Sequence, residues 1–553
     1  MAVANRPAMR GARTALATSL LLATACIGQI GDRPGGGDTG GLGEDKAALC
    51  EDAPADVGHA PLRRLTRLEY QNTVRDLLGG GASLTVEIPS DTPTAGFAAN
   101  NNSFVSGDQL SAYMDAAVEL AAQVVDAGLS SLPHIDLDCD PAEADCLEGF
   151  IEQFGRLAFR RPLADDEVER YRALYLGSEA TWGASVAQEL VLQAFLQSPY
   201  FLYLPEVGRE PGQLVELTSW ELASRLSYFL WKTMPDDALL DAAATDALDS
   251  PGGLESEVRR MLTDERAQET IKSFHAQWLR IADLGDVAKD PELFPDWSPV
   301  LGAALRDETL RLAVEVIWSE EGDGRLQTLL STTRSFADPE LEAFYGKAAD
   351  ADGVIEHDPS ERAGILTHAS VMAALAHGND TSWTLRGKFL REQVLCDPIS
   401  PPPPNVDMSV LNNPDRLIDA SCKSCHLLMD PIGAGFEYFD AIGRYRAELP
   451  ELPEGPLTPF RIEPGGKKLD VLGEFDDPAS LARRLSESRS AADCVATKWY
   501  TFATLRAPEA EDECAVARLQ QRFAESSFDL RELIVAIASS ETFRLQRPEA
   551  TDE

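Results

Sequence analysis

Along most of this chain apolar residues recur at intervals of three and four, the period of a helix that buries one face. In "PLRRLTRLEYQNTVRDLLG" Leu62, Leu65, Leu68, Leu77 and Leu78 follow that spacing, and "DQLSAYMDAAVELAAQVV" continues it, so the first folded region is expected to be helical. The stretch "CLEGFIEQFGRLAFRRPLADDEVERYRALY" predicts one helix before Pro162 and another after it, with acids in the first turn of the second. Thr218 and Glu221 stand at capping-box spacing ahead of Leu222, Leu226, Phe229 and Leu230, which predicts a buried-face helix ending near Met234 and Pro235. "EVRRMLTDERAQETIKSFHAQWL" and "ALRDETLRLAVEVIW" repeat the period, so the centre of the chain is predicted largely helical. "RAGILTHASVMAALAHG" predicts a helix closed at His377 and Gly378, and "SPPPPN" an extended polyproline segment. "FRIEPGGKKLDVLGEF" alternates on either side of a Pro-Gly-Gly turn and predicts a hairpin, after which the tail returns to helices.

The chain has 553 residues, well beyond the roughly 250 to 300 at which one core stops growing. The expected architecture is mainly α, a multidomain helical array with a small β-hairpin near the C-terminal region. Its divisions are expected at 1–25, 26–48, 50–135, 140–180, 185–347, 361–448 and 456–546. Against 49 Lys and Arg stand 91 Asp and Glu, a formal charge of -42. That balance argues against nucleic acid or anionic lipid held on a basic face.

The first division has the three zones of a bacterial export signal: Arg6, Arg10 and Arg13, an apolar run from Ala15 to Leu22, then Ala23, Thr24, Ala25 and Cys26. "LLATAC" resembles a lipobox, which makes Cys26 the lipidated first residue of a mature, membrane-anchored protein; a soluble signal peptide cut nearby is the other reading. Residues 26–48 are glycine-rich and aperiodic, a tether. No later segment is apolar over the ~18 residues a span requires, so the body is expected outside the cytoplasm, at the cell envelope. There disulfides are expected. Cys139 with Cys146, Cys494 with Cys514, and Cys50 with Cys396 are plausible pairs, although spacing does not fix connectivity. Such pairing leaves Cys422 and Cys425 over together.

Those two cysteines and His426 spell C-x-x-C-H within "ASCKSCHLLMDPIGAGFEYFDAIGRYR". A c-type haem needs two thiols to add to its vinyl groups and an adjacent histidine as proximal iron ligand, and the motif supplies all three, so a c-type-haem-like loop is expected here. Zinc needs a fourth ligand, yet no Cys or His stands between His426 and Cys494. A Cys422–Cys425 disulfide is the remaining alternative. For a second axial ligand the candidates are His377 first, then His368, Met372 and Met408; Met429, three residues after His426, belongs on the proximal side. Without such a ligand the iron keeps an open position for peroxide or oxygen.

"LRRLTRLEYQNTVRDLLG", "LAFRRPLADDEVERY", "LASRLSYFLWKTMPDDALL", "GILTHASVMAALAHGNDTSWTLRGKFL", "PPPPNVD" and the motif segment, in this order, resemble the planctomycete-type multidomain secreted cytochrome-like proteins, built from successive domains of unknown function. The resemblance covers nearly the whole chain from Cys50 to Phe543. It implies roles for Cys422, Cys425, His426, Asp430, Pro431, Gly433, Glu437, Phe439, Asp440, Gly443 and Arg446, and it marks His377 before the family's "TSP-x-x-RG" segment, where Trp383 replaces the proline. A separate N-terminal cytochrome module is not recognised, so one haem c per chain is expected.

The leading expectation is therefore a lipid-anchored envelope protein with one covalent haem, working in electron transfer with an unidentified redox partner or in haem-dependent oxidation. Asp430, Asp440 and Arg446 are expected either to steer the haem propionates or to fix the surrounding loop. The rivals are a surface hydrolase using Asp236 and Asp237 or the acidic loop between Cys139 and Cys146, and a non-catalytic binding scaffold for polysaccharide or protein with structural disulfides.

Overall fold

The periodic segments become helices that begin where their capping residues stand. Thr66 starts Arg67–Leu78 by accepting the N–H of Glu69, whose carboxylate in turn accepts the N–H of Thr66 at 3.0 Å. Ser106 with Gln109 and Thr218 with Glu221 repeat the box for Gly107–Ala127 and Ser219–Leu230. Each reciprocal pair satisfies two N–H groups left over by the first turn. In this computed structural model the described residues are 48–548, excluding 49, 51–52, 102–104, 138, 140–145, 211, 402–419, 451–456 and 458–459. The export segment, Cys26, the tether, most of the proline run and Met408 lie outside the described residues.

The protein is mainly α, with short two- and three-stranded sheets. The described residues form one compact unit. The N-terminal helices bury Tyr70, Phe150, Phe154 and Phe195 in a core of their own. A larger core draws on Phe97 and on residues from Leu217 to Phe543, where Phe274 of Ala267–Trp278 stacks on Trp499 of Arg489–Thr504 at 3.9 Å. Near the two ends of the described chain, strand His59–Ala60 pairs in parallel with Leu545–Pro548, which pairs antiparallel with Val215–Glu216. The expected hairpin forms between Arg461–Ile462 and Gly473–Glu474.

Two helices depart from expectation. Ser219–Leu230 stops four residues before Met234, because Lys232 adopts a left-handed conformation (φ 56°) and turns the chain. The single helix expected up to His377 is instead a 3₁₀ turn, Ile365–Thr367, and a short helix, Ala369–Ala374. His368 between them is extended, its ring Nδ1 hydrogen-bonded to the Thr309 hydroxyl at 2.9 Å, and Gly378 is not left-handed. A tertiary hydrogen bond has overridden a helical period.

Three disulfides are described: Cys50–Cys514, Cys139–Cys146 and Cys396–Cys494. Only the local pair was read correctly. Cys494 and Cys514 do lie on successive helices, but Cys494 faces the segment after Leu390–Val394 and Cys514 faces the N-terminal strand region. None of the three uses Cys422 or Cys425.

Non-reducing peptide mapping of exported protein is expected to recover the Cys50–Cys514 and Cys396–Cys494 peptides; a Cys494–Cys514 peptide would contradict the fold. A pH dependence follows from His275, buried with its Nδ1 2.7 Å from the Ile271 carbonyl and lowered by burial to about 4. Because the unfolded imidazole titrates near 6.5, the unfolded state takes up the proton first and stability is lost as pH falls from 6.5 toward 4. Urea denaturation is expected to show a loss on the order of 3 kcal/mol from this group over that window, and His275→Gln to flatten the slope.

Candidate functional site

Cys422, Cys425 and His426 lie on the helix Ala420–Ala434 rather than in a loop. Nothing in the segment interrupts a helix before Pro431, and that proline removes one backbone N–H near the helix end without ending it. Residues three and four apart on a helix share a face, so both thiols and the imidazole project to the same side, with Asp430 one turn further. His426 is buried, and its Nδ1 lies 3.2 and 3.1 Å from the two carboxylate oxygens of Asp430. Asp430, wholly buried, also accepts the Thr384 hydroxyl at 2.8 Å. A carboxylate on Nδ1 fixes the ring plane, places the proton on that nitrogen and leaves the lone pair on Nε2.

The motif helix rests on a second, shorter helix, Trp383–Phe389, so closely that two glycines are obligatory. A Cβ at Gly387 would lie 1.9 Å from the Met429 carbonyl oxygen, and one at Gly433 would lie 1.8 Å from that of Trp383. Ser382 caps the shorter helix by accepting the Leu385 N–H at 3.3 Å. Trp383 occupies its first position, where the resembling family has proline; no intrahelical N–H is needed there, so the exchange preserves the helix start.

Arg386, fully buried on this short helix, donates to the carbonyls of Phe436 at 2.8 Å, Phe439 at 2.9 Å and Asp440 at 2.9 Å, and meets Glu437 at 3.2 Å. Burial lowers its guanidinium to about 10, opposed by the attraction of Glu437. Burial likewise raises Glu437, which Arg446 approaches at 3.0 Å. Asp440 accepts the N–H groups of Ile442 and Arg444 at 3.0 and 2.8 Å. Asp440 and Arg446 therefore fix the turn after the motif helix. Arg391, also buried, donates to the Leu428 carbonyl at 2.7 Å. Sequence reading missed Arg386, Gly387 and Arg391 as supports, although the Arg-Gly of "TLRGKFL" was their visible trace.

The other candidates are placed as follows. His377 is exposed at a bend, its N–H donating to the Asp380 carbonyl at 2.8 Å and its own carbonyl accepting Lys289 Nζ at 3.1 Å. Thr381 in the same bend reaches Glu437 at 2.8 Å, so this loop runs beside the end of the motif segment. His368 and Met372 are buried, and burial lowers His368 to about 4. Met429 is buried with its carbonyl against Gly387. Asp236 caps Asp237–Ala244 by accepting the Leu239 N–H at 2.9 Å and pairs with Arg260 at 3.0 Å, while Asp237 meets His134 at 3.1 Å on the surface. Burial raises the Asp236 pKa, but the Arg260 hydrogen bond and the cap hold it below the ordinary value, so this acid is already committed to structure.

Among the described residues no group of three or more His, Cys, Asp or Glu side chains is arranged to hold a metal ion, which leaves the zinc reading without a ligand set. The donor set does fit a c-type haem: two cysteines outside the three disulfides, on one helical face with an imidazole whose Nδ1 is anchored.

Five families match in succession, each described as a protein of unknown function: DUF1587 at residues 63–126, DUF1595 at 146–206, DUF1592 at 217–346, DUF1588, named PSCyt3, at 362–449, and DUF1585 at 473–543. The chain belongs to the multidomain cytochrome-like proteins of planctomycete type that carry these modules. No curated protein and no solved structure matches it. The motif helix and its supporting helix both fall within the PSCyt3 module.

Gly433→Ala is expected to force the two helices apart and to cost about 1–3 kcal/mol in thermal or urea unfolding, despite alanine's better helix propensity. Gly80→Ala, with nothing within 4 Å, serves as the neutral comparison.

Proposed function

We propose that this is an exported, lipid-anchored cytochrome-like protein that carries one c-type haem on Cys422, Cys425 and His426, for electron transfer or haem-dependent oxidation at the cell envelope. The observation that carries the reading is the hydrogen bond from His426 Nδ1 to Asp430, which anchors a buried imidazole on the same helical face as two cysteines. Thioether links through Cys422 and Cys425 would hold the macrocycle, and His426 would ligate its iron; when bound, the group supplies one-electron chemistry. Asp430 would orient the proximal imidazole, and Thr384 together with the close approaches of Gly387 to Met429 and of Gly433 to Trp383 holds Asp430 in register. His377 would be the first candidate for a second iron ligand. Lipidation of Cys26 would attach the body to a membrane; among the described residues no helix is long and apolar enough to cross one.

Expression in a bacterial host with c-type haem maturation, followed by a haem-stained denaturing gel and an absorption spectrum, tests the reading. Haem is expected to survive denaturation, to be lost in Cys422→Ala with Cys425→Ala, and to shift its spectrum in His426→Ala. Asp430→Asn is expected to keep the haem but move its midpoint potential upward, because a neutral amide in place of the carboxylate stabilises the ferric state less. A colourless matured protein, its motif peptide unmodified by mass analysis, removes the proposal.

A further inference from the structure

A quarter of the residues in this chain are charged, yet the stretch from Ala173 to Gln188, "ALYLGSEATWGASVAQ", holds one, Glu179. It forms the end of a hairpin of two helices, Asp165–Trp182 and Ala184–Leu196, joined at Gly183. Tyr171 and Phe195, equally far from Gly183 along the chain, stack with ring centroids 3.8 Å apart, so the two helices run antiparallel from that stack to the tip. The charges of the first helix gather at the base, on Asp165, Asp166, Glu167, Glu169, Arg170 and Arg172.

A stretch this poor in charge ordinarily goes inside. Here Leu174, Leu176, Trp182 and Val186 are exposed, Trp182 over 63% of its surface. A Cβ at Gly177 or at Gly183 would meet nothing within 4 Å, so no described element covers the tip at those positions. Beyond Val300 no described residue leaves a large apolar side chain exposed, which makes this a property of the N-terminal half and not of the surface at large.

A bilayer of zwitterionic lipid suits such a tip. Elsewhere the excess of acids, a net charge of -42, opposes approach to a phosphate-bearing surface, whereas the tip brings one carboxylate. Leu174, Leu176 and Val186 offer apolar side chains, and Trp182 at the helix end has an apolar ring with one N–H, the kind that settles at the depth of lipid headgroups. A bilayer is also close at hand on the reading proposed above. Cys26 lies roughly twenty positions before the first described residue, a length of chain that spans at most ~75 Å. Confinement within such a reach raises the local concentration of lipid to the millimolar range, where even a weak apolar contact is populated.

We propose that the tip of this helical hairpin, with Trp182 and Val186 foremost, docks on the lipid bilayer that holds Cys26 and sets the face the body turns toward it. The inference takes the nearness of a bilayer from the lipid-anchor reading and nothing from the haem. Residues 27–553, which keep the whole compact unit and carry no acyl chain, test it by co-sedimentation with phosphatidylcholine vesicles. Binding is expected to rise with lipid up to ~10 mM and to persist in ~0.5 M salt, because apolar contact and not charge drives it. Trp182→Ser with Val186→Ser is expected to lower the partition at least about fivefold, with a thermal melt matching the parent because both side chains are exposed. No binding at that lipid concentration, or equal binding by the double variant, overturns the docking face. A concentration-dependent dimer that the double variant abolishes, without vesicle binding, makes the tip a seam between two copies and overturns it as well. An unacylated Cys26 in mass analysis of exported protein would remove the anchor alone, and the vesicle result still decides the face.

Discussion

Two short helices crossing with their backbones in contact govern the geometry of the motif. At Gly387 against Met429, and at Gly433 against Trp383, there is no room for a single methyl group. This approach lets Thr384 reach Asp430, lets Asp430 hold His426, and lets Arg386 reach under the turn that follows. A three-residue motif thus takes its orientation from a segment some forty positions earlier in the chain.

The protein's surface and interior use charge in opposite ways. Outside, an excess of acids sets a net charge of -42. Inside, buried arginines are fasteners: Arg160 binds carbonyls of the 200–203 turn, Arg362 those of Thr367 and Gly443, Arg386 those of 436–440, and Arg391 that of Leu428. A guanidinium has five N–H donors in a fixed plane, so one side chain can satisfy several loop carbonyls that burial would otherwise leave unpaired.

The modules are continuous in structure although they match separately in sequence. The large core draws on residues from Phe97 to Phe543, and the strand at 545–548 returns to pair with that at 59–60. Cys50–Cys514 closes the same seam, with Arg518 donating to the Cys50 carbonyl at 2.6 Å. Each module therefore buries part of its apolar surface on its neighbours.

The sequence by itself determined what is local. Helical periods, the boxes at Thr66 and Thr218, the hairpin about its Pro-Gly-Gly turn, the Cys139–Cys146 pair and the C-x-x-C-H spacing all rest on contacts a few residues apart, where chain geometry leaves little choice. The tertiary structure decided what depends on partners hundreds of residues away. It assigned Cys50 to Cys514 and Cys396 to Cys494, broke the helix at His368 for the sake of Thr309, and ended Ser219–Leu230 at Lys232. It also gave Arg386 and Gly387 their roles beneath the motif. Such choices are fixed by which surfaces meet in the packed core, and a pattern of neighbouring residues carries no measure of that distance.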